Sequence, residues 1–205
     1  MRIQAYHCKL FQSLLYGFSL FFAACSSGNE PDLCFIGDSI THLWDTSFFF
    51  PEYSPANHGI NGAKIEDTFK WDLSECKGIP SIILIGTNNL NKAAKNASTK
   101  AAFLEEYTQM YMSLLDKIQA SNYFIISILP RNRLYEENGA LNDYIKRLND
   151  ALKEMLKGYP VKNTFIDAYP EFLKDSAIIR EYYSDGLHLS EEGYDLLSSL
   201  VRSAI

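Results

Sequence analysis

A serine and a histidine lie far apart in the chain, each in a context that would allow nucleophilic chemistry. Ser39 follows Gly37 and Asp38 at the end of an apolar run, where a glycine allows a sharp turn and the serine can face solvent. N–H groups at the start of a following helix would be free to receive an oxyanion. His188 comes three residues after Asp185, so the carboxylate can reach the imidazole across a turn and hold its tautomer. A helix-capping serine and a solvent-exposed histidine are the alternative interpretations.

Two further loops carry groups that could stabilise negative charge. The run Gly86-Thr87-Asn88-Asn89 ends an apolar stretch, and the Asn88 amide could point at a developing oxyanion or form an ordinary Asx turn. Residues 57–62 contain two glycines three positions apart. They predict a tight loop with exposed N–H groups, or a simple turn. Each of these signals is modest when taken alone.

Short, continuously apolar runs alternate with longer helical patterns along the rest of the chain. The runs predict strands buried on both faces of a parallel sheet, at residues 33–36, 81–85, 123–128 and 164–166, with a short one before Asn57. Apolar spacing of three and four residues predicts helices over 103–118 and 141–156, and a last helix that begins near Ser190. The alternation predicts an α/β fold with about five parallel strands, whose carboxyl ends gather the functional loops.

Composition limits the class of protein. The 205 residues are 47% hydrophobic and 21% charged, which is typical of one globular domain and excludes a disordered, collagenous or coiled-coil chain. The formal net charge of -6, without a cluster of basic residues, argues against a nucleic-acid partner. No Cys-x-x-Cys or paired histidine spacing predicts a metal site, and we expect no cofactor.

The amino-terminal residues predict an export signal over residues 1–24. Arg2 and Lys9 flank an apolar stretch that is too short for a comfortable membrane span and ends in small residues. The sequence Phe22-Ala23-Ala24-Cys25 resembles the bacterial lipobox, which predicts lipidation of Cys25. The protein would then be a bacterial membrane-anchored lipoprotein, facing the periplasm or the cell surface.

A plain signal peptide cut near Ala24, which would give a secreted protein, and a retained amino-terminal anchor are the alternatives. Residues 25–31 read as a short polar tether, and residues 32–205 as the folded domain. Cys34 lies within an apolar run, where a buried free thiol is the commoner state. A disulfide between Cys34 and Cys76 is the alternative in an oxidising compartment.

The joint order of the motifs is more specific than any one of them. Gly-Asp-Ser, Asn-x-Gly-x-x-Gly, Gly-x-Asn and Asp-x-x-His follow one another at predicted loop positions. In this order the chain resembles the SGNH hydrolases, also called the GDSL lipase/esterase family, over about residues 32–204. The resemblance implies a flavodoxin-like, three-layer α/β/α sandwich. The segments at 128–131 and 165–170 also resemble the branch related to platelet-activating-factor acetylhydrolase, which includes bacterial acetylesterases acting on carbohydrates.

The resemblance implies a role for each motif residue. Ser39 would be the nucleophile, His188 the base and Asp185 its orienting partner. The oxyanion donors would be the backbone N–H groups of Ser39 and Gly62 and the side chain of Asn88. This sequence departs from the family pattern at two positions, which are Asn89 and Ala63; the family usually or frequently has aspartate at both.

These implications predict a serine esterase that removes short acyl groups, chiefly acetyl, from carbohydrate esters. A lysophospholipase or thioesterase acting on longer acyl chains is one alternative. A catalytically inactive, carbohydrate-binding surface lipoprotein is another. His42 and Arg131 could meet the substrate, although an exposed surface position is at least as good an interpretation of both.

Overall fold

Five parallel strands form the centre of the fold in a computed structural model that describes residues 30–90, 97–132 and 139–205. The strands lie in the order β2-β1-β3-β4-β5. Their bounds are β1 (Leu33–Gly37), β2 (Pro55–Gly59), β3 (Pro80–Leu84), β4 (Asn122–Ile126) and β5 (Asn163–Ile166). A two-stranded antiparallel hairpin of β6 (Leu173–Lys174) and β7 (Ala177–Ile178) lies outside this sheet. The predicted parallel α/β architecture is confirmed, whereas the hairpin is too short to show in the apolar pattern.

The described helices flank the sheet. They are α1 (Ser39–His42), α2 (Thr46–Phe49), α3 (Ala97–Ile118), α4 (Gly139–Lys157) and α5 (Glu191–Arg202). Ser190 caps α5, because its hydroxyl accepts a hydrogen bond from the Gly193 N–H at 3.1 Å. This confirms the predicted start of the last helix.

Side chains of the strands point alternately into two hydrophobic cores. Ile36 and Ile83 contribute to the core that contains α3 and α4. Phe35 and Ile82 contribute to the core on the other side, which contains Trp44 and α5. Because the strands are buried on both faces, their sequences are apolar at consecutive positions rather than at alternating ones.

Two predicted boundaries are wrong in detail. Asn57 lies within β2 rather than after it, because the polar segment Asn57-His58 forms a regular parallel pair with Phe35 and Ile36 of β1. The third long apolar run also extends beyond its strand, because β4 ends at Ile126. Both errors have the same cause. A polar residue was taken to end a strand, and an apolar residue was taken to continue it.

The expectation of a free thiol at Cys34 is also wrong. Cys34 on β1 and Cys76 in the short 3₁₀ helix Ser74–Cys76 form a disulfide, with their Cα atoms 5.6 Å apart. Among the described residues, one group of three potential metal ligands lies together, namely these two cysteines and His58, with ligand atoms within 4.8 Å of one another. Because the disulfide uses both sulfur atoms, the group has no thiolate to offer a metal.

The predicted export signal and most of the tether lie outside the described residues, which begin at residue 30. In the part of the chain that is described, no helix is long and apolar enough to cross a membrane.

Candidate active site

Ser39, His188 and Asp185 form a continuous line of contacts at the carboxyl edge of the sheet. The His188 Nε2 atom lies 3.0 Å from the Ser39 Oγ atom. The Nδ1 atom of the same imidazole lies 2.8 Å from Asp185 Oδ2. Both distances are within hydrogen-bond range, although 149 residues separate the serine from the histidine. The three predicted residues are therefore brought together, with the imidazole between the hydroxyl and the carboxylate.

The loop that carries Asp185 and His188 is held by its own backbone. Asp185 Oδ1 accepts hydrogen bonds from the N–H groups of Leu187 at 2.9 Å and His188 at 2.7 Å. The Ser184 N–H donates to the His188 carbonyl at 2.9 Å, which closes the loop. The Asn132 N–H donates to the Gly186 carbonyl and ties the loop to the segment that follows β4. The N–H groups of this loop therefore orient the Asp185 carboxylate toward the His188 imidazole.

The same hydrogen bonds keep the Asp185 carboxylate ionised. Partial burial alone would raise its pKa, but the N–H donors of His188 and Leu187 and the His188 imidazole together lower the pKa below its ordinary value. An ionised carboxylate beside Nδ1 favours the tautomer in which Nδ1 carries the proton and Nε2 can accept one. That is the tautomer needed for Nε2 to receive the proton of Ser39.

Ser39 begins α1 immediately after β1, in a tight turn that requires a glycine at position 37. A Cβ atom at Gly37 would lie 2.1 Å from Thr41 Oγ1 and 2.3 Å from the Leu84 carbonyl oxygen, so no other residue fits. The cap of α1 is Asp38, whose carboxylate accepts from the Ile40 N–H at 3.0 Å. The interpretation of Ser39 as the helix cap is therefore wrong, and its hydroxyl faces His188 instead.

Asp38 is a buried carboxyl directly beside the candidate nucleophile. Its side chain is 1% exposed. Burial raises its pKa to about 7, although the Ile40 N–H and electrostatic interactions with His188 and Arg131 oppose the rise. In the sequence, Asp38 was identified only as part of the Gly-Asp-Ser motif. Its burial was not predicted, because a short motif does not show which side chains the fold covers.

Parallel register places the other predicted donors beside Ser39. Gly37 at the end of β1 pairs with Gly59 of β2 on one side and with Leu84 of β3 on the other. The loops that follow these three strand ends therefore emerge side by side. They carry Ser39, Gly62 and Asn88, respectively.

Gly62 and Asn88 are presented to the site in different ways. Gly62 has a φ of +73°, in the left-handed region that favours glycine, and a Cβ atom there would meet no other atom within 4 Å. Asn88 donates one Nδ2 hydrogen to the Ala63 carbonyl at 2.9 Å. An amide nitrogen carries two hydrogens, so this bond orients Asn88 and leaves the second hydrogen for a ligand. The Asx-turn alternative for Asn88 is wrong, because the Leu90 N–H that such a turn would use donates to the Thr87 carbonyl instead.

Asn89, the departure from the family pattern, is 1% exposed. Its Oδ1 accepts from the Ile65 N–H at 3.1 Å, and its Nδ2 donates to Glu66 Oε2 at 2.6 Å. The other departure, Ala63, is buried and supplies the carbonyl that binds Asn88. Neither contact was predicted, because both join loops that are distant in sequence.

Two polar residues connect parts of the site, although His42 is exposed, as its surface interpretation expects, and Arg131 is half-buried. Arg131 donates from Nη1 to the Thr87 hydroxyl at 3.1 Å. The His42 Nδ1 atom lies 3.1 Å from the Gly59 carbonyl oxygen and joins α1 to the end of β2. Both residues follow predicted strand ends, and that position was the one signal that could have assigned them to the site.

Comparisons with known proteins agree with this geometry. The family model of the GDSL-like lipase/acylhydrolases matches residues 35–196. The alpha1 subunit of platelet-activating factor acetylhydrolase IB from Rattus norvegicus is 30% identical over 184 residues, which cover 84% of this chain and 74% of that protein.

Solved structures show the same fold. A Streptococcus pneumoniae protein described as a candidate platelet activating factor is 25% identical, with a TM-score of 0.69 over 88% of this chain and 86% of that one. An acetylxylan esterase from Geobacillus stearothermophilus is 19% identical, with a TM-score of 0.64 over 86% of this chain and 94% of that one. The extent of the family match and the identity to the rat protein establish that this chain belongs to the GDSL-like lipase/acylhydrolase family and is an ester hydrolase.

Proposed function

We propose that the protein removes acetyl groups from carbohydrate esters through an acyl-enzyme on Ser39. The observation that carries the proposal is the line of contacts from Asp185 to His188 to Ser39, at 2.8 and 3.0 Å. A serine hydroxyl is a poor nucleophile unless a base lies within hydrogen-bond reach, and His188 Nε2 meets that condition.

In the proposed reaction, the Ser39 Oγ atom attacks the ester carbonyl carbon while His188 Nε2 takes the hydroxyl proton. Asp185 stabilises the resulting imidazolium and keeps its own charge. His188 then gives the proton to the leaving sugar oxygen, which leaves an acetyl ester on Ser39. Water, deprotonated by the same imidazole, attacks this ester and releases acetate.

The tetrahedral intermediates carry negative charge on the former carbonyl oxygen. We assign its stabilisation to the N–H groups of Ser39 and Gly62 and to the second Nδ2 hydrogen of Asn88. Among the described residues, neither of the two backbone N–H groups donates a hydrogen bond within the protein. Donors that are already oriented and unoccupied stabilise developing charge without reorganisation, which is why such groups contribute strongly to catalysis.

The choice of acetyl and of carbohydrate rests on similar proteins. The rat relative is named an acetylhydrolase, and the Geobacillus stearothermophilus structure is an acetylxylan esterase. Both names specify removal of an acetyl group, whereas they differ in the rest of the substrate. A family does not determine its substrate, so the leaving group needs a direct test.

The test compares acyl length first and leaving group second. Residues 26–205 and the Ser39→Ala variant are assayed on p-nitrophenyl acetate and octanoate, and then acetate release is measured from acetylated xylooligosaccharide and from an acetylated ether phospholipid. Ser39-dependent turnover that prefers acetate and the sugar ester supports the proposal. A preference for octanoate would instead favour a lysophospholipase or thioesterase. Binding of acetylated sugar without turnover above Ser39→Ala would favour an inactive binding protein.

We also propose that the protein is exported and anchored through lipid on Cys25, with secretion as the alternative. The disulfide between Cys34 and Cys76 supports an oxidising compartment, because cytosolic thiols are kept reduced. The test is metabolic labelling with a fatty acid in a bacterial host, followed by membrane fractionation. Loss of label and of membrane association in Cys25→Ala would support the anchor, and unchanged fractionation would contradict it.

A further inference from the structure

We propose that Asn89 and Glu66 form a matched amide–carboxylate pair that positions the loop of residues 60–66, and with it the Gly62 N–H group. This inference rests on the proposed function, since it assigns a positioning role to residues outside the reacting groups. It concerns the hydrogen bonds that position the oxyanion donors, not the donors themselves.

The Asn89 side chain uses both ends of its amide in the 60–66 loop. The oxygen accepts from the Ile65 N–H at 3.1 Å, and the nitrogen donates to Glu66 Oε2 at 2.6 Å. Asn89 is 1% exposed, while Glu66 is half-buried. A hydrogen bond to a carboxylate is stronger than one between neutral groups, and at a buried position its partner is costly to remove.

Other contacts transmit this anchor to Gly62. The neighbouring Asn88 donates to the Ala63 carbonyl at 2.9 Å, directly beyond Gly62 in the chain. The Ala63 N–H donates to the Ile60 carbonyl at 3.1 Å and closes a turn around Gly62. The two consecutive asparagines therefore hold the segment that follows Gly62 at two points, whereas Gly62 itself makes no hydrogen bond within the described residues.

Only an amide satisfies both partners at position 89. The side chain must accept from the Ile65 N–H and donate to a carboxylate, and aspartate can do only the first when it is ionised. An aspartate would also place a second carboxylate about 2.6 Å from Glu66. Two carboxylates at that distance cannot both ionise without separating, so one must hold a proton or the 60–66 loop must move.

The test is a pair exchange in the full-length protein. Asn89→Asp should lower kcat on p-nitrophenyl acetate, relative to wild type, by about tenfold more at pH 8 than at pH 5.5, because a shared proton bridges the carboxylates only at the lower pH. KM should change less than kcat, since the displaced donor acts on the intermediate. Glu66→Gln alone exchanges a charged hydrogen bond for a neutral one and should reduce kcat about threefold or less.

The double variant Glu66→Gln/Asn89→Asp reverses the hydrogen bond, because the amide at position 66 donates and the carboxylate at position 89 accepts. We expect it to regain most of the kcat lost in Asn89→Asp and to lose the added pH dependence. Gln109→Glu, on the exposed face of α3, adds the same charge away from the site and should not produce that pH dependence. An Asn89→Asp loss that is equal at both pH values, or one that Glu66→Gln does not rescue, would overturn the inference.

The melting temperature separates this inference from the proposed function. If wild type hydrolyses no ester, the coupling is still measured as a pH dependence of the Tm difference between Asn89→Asp and wild type, and as the absence of that pH dependence from the difference between the double variant and wild type. If Asn89→Asp does not fold, Glu66→Ala removes the acceptor alone. It should lower kcat more than Glu66→Gln does; equal kcat values for the two variants would overturn the inference.

Discussion

The two sides of Ser39 are built in different ways. On one side, Asp185 and His188 lie three residues apart on one loop, and the carboxylate is aimed by N–H groups of that same loop. On the other side, the side-chain contacts that hold the donor loops join residues 23 to 25 positions apart, as in the bonds from Asn88 to Ala63 and from Asn89 to Glu66. The first side depends on contacts that are local in sequence, whereas the second depends on long-range contacts around the buried side chain of Asn89.

This difference predicts how catalysis and stability are coupled on each side. A change in the local loop should remove chemistry and leave the fold intact, because few long-range contacts depend on it. A change on the long-range side should reduce activity and stability together. Four experiments test this distinction.

Asp185→Asn should have the largest effect. The amide cannot stabilise an imidazolium and favours the wrong tautomer of His188, so we expect kcat to fall by about 10⁴-fold. The Tm should change little, since the side chain is half-exposed and an amide oxygen can still accept from the loop N–H groups. Steady-state kinetics and thermal unfolding measure the two quantities. A large fall in Tm would show that this side is not energetically local.

Asn88→Ala should show the contrasting behaviour. Loss of one oxyanion donor typically costs about 10²–10³ in kcat. The same variant loses the hydrogen bond to the Ala63 carbonyl, which should lower the free energy of unfolding by about 1 kcal/mol. Chemical denaturation beside kinetics tests the coupling. A fall in kcat with an unchanged free energy of unfolding would contradict the idea that catalysis and stability are coupled on this side of Ser39.

Removal of the disulfide should affect stability far more than chemistry. Cys34 and Cys76 close a loop over 42 positions, and in the chain-entropy model such a link stabilises the fold by about 4 kcal/mol. Cys34→Ala/Cys76→Ala should therefore unfold at lower denaturant concentration than the oxidised wild type. Below the transition, kcat should stay within about threefold, because β1 remains paired on both sides. Wild type treated with dithiothreitol is the matched control, and an unchanged midpoint would contradict the prediction.

Asp38 should make a smaller, pH-dependent contribution. Its folded-state pKa of about 7 exceeds the ordinary value of 3.8, so between these values the unfolded chain releases a proton that the folded protein keeps. The free energy of unfolding therefore falls as pH rises, by roughly 2 to 3 kcal/mol between pH 5 and pH 8 for this group.

Asp38→Asn keeps an oxygen to cap α1 and removes the titration. The variant should gain stability relative to wild type as the pH rises from 5 to 8, as measured by urea denaturation at both values. A difference between the two proteins that does not vary with pH would show that Asp38 does not titrate in this range.

Much of the architecture follows from patterns that are local in sequence. Continuous apolar runs identify the parallel strands, because a strand covered on both faces has no polar side, and Ser190 marks the start of α5 through its own hydrogen bond to Gly193. The Asp185–His188 contact is equally local, because the two side chains are only three positions apart in the chain.

Contacts between strand ends depend on register, which no local pattern specifies. The alignment of Gly37 with Gly59 and Leu84 brings three loops to one edge. That alignment decides that Asn89 meets Glu66 and that Asp38 is buried, while the disulfide between Cys34 and Cys76 joins β1 to the segment before β3. The chain alone therefore determined which groups could take part in ester hydrolysis. The tertiary structure decided which of them are held, buried or paired, because burial and hydrogen bonding between distant segments exist only once the sheet has formed.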